Sequence, residues 1–146
     1  MRFMIIRKAD AETEAGVLPG EDLMNAMGAY NEELAKAGVF LDGVGLRASS
    51  LGARVKFSNG KPTVMDGPFT EAKELIAGFT MIQAKSKAEA IEWVKRWPVE
   101  DGHGNAEIEI RQVFEAADFA QGPALERHER LRDRMQGAEA EGARNR

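Results

Sequence analysis

The chain has 146 residues, of which 43% are hydrophobic and 30% charged, with a formal charge of −4 and no cysteine. That length holds one hydrophobic core and hardly two. The lack of thiols excludes disulfides, thiolate catalysis and cysteine-ligated metals, and the mild negative charge gives no electrostatic basis for binding nucleic acid.

Near the N-terminus, Phe3-Met4-Ile5-Ile6 is a short apolar run between Arg2 and Arg7. A secretory segment needs about seven apolar residues and a membrane span about twenty. The expectation is therefore a cytoplasmic protein with no membrane partner. The run suits a strand with both faces partly covered. Residues 8–20 are polar, end in Pro19-Gly20 and read as a loop. Leu23, Met27, Tyr30 and Leu34 then recur at helical spacing and predict a helix over residues 21–37. Glu21 and Asp22 suit the positive end of its dipole, and Gly38 its C-terminal stop.

Val39 to Leu46 reads as a strand interrupted by Gly43 and Gly45. Arg54 to Ser58 and Lys61 to Asp66 are strands joined by Asn59-Gly60, the residues a type I′ hairpin turn demands. A two-residue turn sets Phe57 opposite Pro62, Val55 opposite Val64 and Ala53 opposite Asp66. Leu75 to Ala84 is the most apolar segment and reads as a central strand. Ser86 and Glu89 form a capping box for a helix that ends before Pro98, with Ala90, Trp93, Val94 and Trp97 on its inner face. Residues 98–106 are a glycine-rich loop, and Ile108, Ile110 and Phe114 alternate with polar residues in a last strand. Leu125, His128, Leu131 and Met135 allow a weak amphipathic helix, with disorder expected from about Gly137.

Two helices cover only one face of such a sheet, which is an α+β pattern. Phe79 and Met81 alternate with Thr80 and Ile82, so both faces of the central strand are apolar. A homodimer would bury the second face.

Met65-Asp66-Gly67-Pro68-Phe69-Thr70-Glu71-Ala72-Lys73-Glu74, followed by Gly78-Phe79, resembles the signature of the YCII-related, or DGPF-domain, family. Ala29-Tyr30-Asn31-Glu32-Glu33-Leu34, Ala88-Glu89-Ala90 with Trp97-Pro98, and Glu107-Ile108-Glu109-Ile110-Arg111 extend the likeness over residues 1–119. Residues 120–146 remain as a charged C-terminal arm. The resemblance implies a ferredoxin-like antiparallel sheet with two helices on one face, assembled as a dimeric α+β barrel. Relatives of that fold include lactone isomerases and cofactor-free monooxygenases, and some family members are encoded near alternative sigma factors. YCII proteins are thought to use a His–Asp pair in a cleft. Asp66 matches the aspartate, but the first strand has no histidine.

Asp66 is thus a candidate general base at the end of an apolar hairpin face, or else the residue that opens the Asp-Gly-Pro turn. His103 in a flexible loop is a candidate acid or base, or an exposed loop residue. Arg111 could clamp a substrate carboxylate or form a cross-strand ion pair. Glu71 and Lys73 could line a cleft mouth or be solvated charges, and Tyr30 could present its hydroxyl to a site or sit in the core. Two widely spaced histidines without HxxxH or HExxH predict no metal, the glycines form no phosphate-binding loop, and no cofactor is expected. The sequence is read first as a small-molecule-binding homodimer with a cleft. The alternatives are a cofactor-independent acid–base enzyme, an isomerase or lyase using Asp66, and a regulatory protein-interaction module.

Overall fold

The computed structural model describes residues 1–146 and divides them into two compact units, Met1–Val113 and Phe114–Arg146. In the first, β1 (Arg2–Lys8), β2 (Phe40–Gly45), β5 (Ile76–Gln83) and β6 (Ile108–Gln112) form a four-stranded sheet in the order β2-β5-β1-β6. All neighbouring strands in it are antiparallel. Helix α2 (Glu21–Lys36) connects β1 to β2, and α3 (Lys87–Val94) connects β5 to β6. Each connection joins two parallel strands across an intervening one. The right-handed crossover preference puts both helices on the same face. This is the ferredoxin-like α+β architecture.

Strand alternation selects what that face buries. Phe3, Ile5 and Ile82 point to the helices and meet Tyr30, Leu34 and Ala90, with Met27, Trp93, Val94, Trp97, Ile108 and Ile110 packed around them. Met4, Ile6, Phe79 and Met81 occupy the alternate positions, with Met4 opposite Met81 and Ile6 opposite Phe79. They take no part in that cluster. Gly38, at φ 71°, ends α2 as its position predicts. At α3, Ser86 Oγ accepts from Glu89 N–H at 3.1 Å, but the Glu89 carboxylate accepts from Lys85 N–H at 2.7 Å instead of closing on Ser86.

Three segments differ from expectation. The polar stretch 8–20 contains α1 (Ala11–Glu14), formed because Asp10 and Thr13 cap each other: Thr13 N–H donates to Asp10 Oδ1 at 2.9 Å and Asp10 N–H to Thr13 Oγ1 at 2.8 Å. The hairpin β3 (Ala53–Ser58) and β4 (Lys61–Asp66) has the expected register, and Asn59 and Gly60 both have positive φ, at 50° and 78°. It stands as a separate two-stranded sheet, however, so its apolar face is open: Val55 is 54% exposed, Phe57 68% and Val64 66%. In the second unit, α4 (Pro123–Arg144) continues through the residues expected to be disordered. Alanine, glutamate and arginine dominate its last turns and all favour helix. No helix of the structure is long and apolar enough to cross a membrane.

Leu34 is 1% exposed, so Leu34→Ala should cost about 2–5 kcal/mol in urea denaturation. Phe57→Ala, on the open hairpin, should change stability by no more than about 0.5 kcal/mol.

Candidate functional site

The same alternation that sends Phe3 and Ile5 inward sends Arg7 inward too, leaving it 8% exposed. A buried guanidinium is tolerated only with charged, well-aligned partners. Arg7 has them. Its Nε donates to Asp101 Oδ2 and its Nη2 to Asp101 Oδ1, both at 2.9 Å, while Nη2 also donates to Asp10 Oδ2 at 2.9 Å. Its Nη1 donates to the carbonyl of Lys8. Trp97 Nε1 adds a further hydrogen bond to Asp101 Oδ2 at 2.9 Å, and the Trp97 ring lies 5.6 Å from that of Tyr30.

These contacts keep all three groups ionised. The Asp101 hydrogen bonds raise the pKa of Arg7, against the opposing effect of burial. Burial works against ionisation of Asp101, but hydrogen bonds from Arg7 and Trp97 outweigh it and hold the carboxyl below the ordinary carboxylate value. The Thr13 amide, with Arg7, holds Asp10 below it as well.

Asp101 opens a tight turn in which Gly102, His103 and Gly104 are all left-handed, with φ of 60°, 54° and 81°. A side chain at Gly102 would also press within 3.2 Å of Arg7 Nη2. The turn carries His103 to Glu12 of α1, with Nε2 3.1 Å and 3.0 Å from the two carboxylate oxygens. A non-glycine residue held left-handed is uncommon and often marks a site.

Beside these groups lies a cleft of about 1150 Å³, at the end of the sheet where β1 and β2 finish and β5 begins. Arg7, Asp10, Glu12, Asp101 and His103 line it together with Leu18, Leu23, Leu46 and Leu51. It combines apolar wall with convergent polar groups, the usual make-up of a small-molecule site.

The Asp66-Gly67-Pro68-Phe69 segment supports this cleft from behind. Ser49 N–H donates to Glu14 Oε1 at 3.2 Å, Ser49 Oγ donates to Glu14 Oε2, and Ser49 Oγ accepts from Phe69 N–H at 3.1 Å. The Arg54 guanidinium stacks 3.9 Å from the Phe69 ring centre. A β-carbon on Gly67 would fall 1.7 Å from the Ser49 carbonyl oxygen, so only glycine fits there. The loop thus held, residues 46–51, forms one side of the cleft.

Of the residues singled out from the sequence, the structure brings His103 to the cleft and leaves the others elsewhere. Asp66 ends the free hairpin and is exposed, without the apolar cover expected from its strand face. Glu71 and Lys73 are exposed on the segment that follows. Tyr30 is buried, its hydroxyl donating to the Trp93 carbonyl at 2.8 Å. Arg111 is exposed and lies 3.6 Å from Glu109. The groups overlooked were Arg7, Asp10, Glu12 and Asp101; Trp97, expected to pack inward, does so and also reaches Asp101. A charge at an inward strand position could have flagged Arg7. No group of three or more histidine, aspartate or glutamate side chains gathers to hold a metal ion.

The fold and this cleft define a small α+β protein with a polar-ended pocket at one end of its sheet. Residues 1–117 match the model of the YCII-related domain, and the chain belongs to that family. It is 32% identical over 75 residues to an uncharacterized protein of Rhizobium meliloti (strain 1021), a match spanning 51% of this chain and 60% of that relative. It is also similar to the solved structure of 5-chloro-2-hydroxyhydroquinone dehydrochlorinase (TftG) from Burkholderia phenoliruptrix AC1100, in complex with 2,5-dihydroxybenzoquinone. That likeness has a TM-score of 0.46 at 21% identity, covering 82% of this chain and 100% of the other.

Asp101→Asn should lower stability at neutral pH by about 1.5–3 kcal/mol. Because the folded-state pKa of Asp101 is depressed, its contribution is complete above the ordinary carboxylate value of about 4 and is lost as pH falls through the lowered one. Thermal unfolding followed by circular dichroism should therefore show the variant and the parent converging below pH of about 4.

Proposed function

We propose that the protein binds a small organic molecule in this cleft. The ligand's apolar body lies against Leu18, Leu23, Leu46 and Leu51, and its polar end meets His103, Glu12 and the Arg7 cluster. The supporting observation is the convergence of those two kinds of wall in one cavity of about 1150 Å³. Calorimetric titration with hits from a panel of small phenols and hydroxylated alicyclic compounds tests it. Leu46→Glu should weaken binding at least tenfold, about 1.4 kcal/mol, and unchanged affinity would count against the cleft.

A second reading, cofactor-independent acid–base catalysis, is favoured by the pairing of His103 with Glu12. With Nε2 held by the carboxylate, Nδ1 is the nitrogen left to take a proton from an acidic O–H or C–H of the ligand. Glu12 then stabilises the imidazolium that forms. In the alternative that uses Asp66, the base would work from an exposed hairpin end, outside the cleft. His103→Gln should abolish any turnover while leaving ligand affinity within a few-fold, and full turnover in that variant would remove this reading.

We further propose a homodimer in which a second copy covers the sheet face opposite the helices. Met4, Ile6, Phe79 and Met81 put an apolar strip on that face, bordered by Asp42, Glu109 and Arg111, and Val44, paired with Phe79, is 44% exposed. A stable interface needs about 800 Å² from each partner, and an apolar strip with a charged border on a sheet face suits a surface of that kind. Light scattering on the parent should give twice the mass of one chain, and Met81→Glu should give a single-chain mass. A monomeric parent would contradict the dimer.

A further inference from the structure

We propose that Arg7 is a positioning residue whose guanidinium sets the alignment of His103 with Glu12. The two members of that pair come from segments about ninety residues apart, with His103 Nε2 3.0 Å from Glu12 Oε2. Each hangs from a carboxylate that Arg7 holds. On one side, Arg7 grips both oxygens of Asp101, the first residue of the left-handed turn that presents His103. On the other, it holds Asp10, whose second oxygen caps α1 and so fixes the helix that presents Glu12. The turn also packs on the guanidinium, since a β-carbon on Gly102 would come within 3.2 Å of Arg7 Nη2. Only a planar fork with several donors spans two carboxylates in this way; an ammonium group is a point charge and does not.

This role depends on the acid–base reading for its consequence, but the alignment is measurable without any ligand. The test is the NMR spectrum of the His103 ring, assigned with the help of His128→Gln, in the full chain. Glu12→Gln should move the ring resonances when Arg7 is present. In Arg7→Lys the same substitution should leave them unmoved within the line width. If Arg7→Lys does not fold, Asp10→Asn, which loosens only the α1 arm, should reduce the movement. Leu34→Ala weakens the fold far from the pair and should preserve it in full. Retention of the full movement in Arg7→Lys or Asp10→Asn would overturn the proposal, as would its loss in Leu34→Ala. Absence of movement in the parent would overturn it too, because no pair would then exist to be aligned. These spectra are recorded without ligand, so a failure here is distinguishable from a failure of the binding reading, which Leu46→Glu tests separately.

Discussion

A guanidinium closed into the end of a hydrophobic sheet face has to be neutralised where it sits. In this protein that requirement draws together two stretches of chain that lie far apart in sequence, residues 7–10 and 97–101. Arg7 lies inward because β1 alternates, and an uncompensated charge there would cost several kcal/mol. Asp10 and Asp101 supply the compensation, Trp97 supports Asp101, and the loops bearing both aspartates are thereby fixed at the mouth of the cleft. The same contacts that satisfy the buried charge also shape the pocket. Stability and site geometry are therefore not separable at this end of the sheet.

The Asp66-Gly67-Pro68-Phe69 segment contributes in a different way. Its aspartate faces solvent, whereas its glycine and phenylalanine hold Ser49, which in turn binds Glu14 of α1. The segment therefore braces the loop that forms one side of the cleft. A motif can be distinctive in sequence because of such a backbone fit, where no other residue has room, with no chemistry performed by its most reactive side chain.

Much of the framework was legible in the sequence. Period-two and period-3.6 patterns placed the sheet strands and helices α2 and α3, and Asn59-Gly60 fixed the hairpin register to the residue. The pattern could not say what covers a hairpin face, which is a tertiary question, so Asp66 was expected in a sheltered place that the open hairpin does not provide. Four residues of α1 are too few for a periodic signal, and only the reciprocal Asp10 and Thr13 caps reveal it. The cleft draws its walls from residues 10–23, 45–51 and 100–103, segments whose meeting depends on Arg7 and the sheet order. His103 was singled out because it is the lone histidine of its unit, but its partner Glu12 had no local signature. Residues 137–144 are charged and small, which suggested disorder, but Gly137 and Gly142 only lower the helix propensity that their alanine, glutamate and arginine neighbours supply.

Backbone amide NMR, recorded while small phenols and alicyclic alcohols are titrated into the labelled protein, tests the central claim most directly. Saturable shifts confined to residues 10–23, 45–51 and 100–104 are predicted. Shifts gathered instead on the hairpin at residues 53–66, or spread without a focus, would contradict a ligand cleft organised around Arg7.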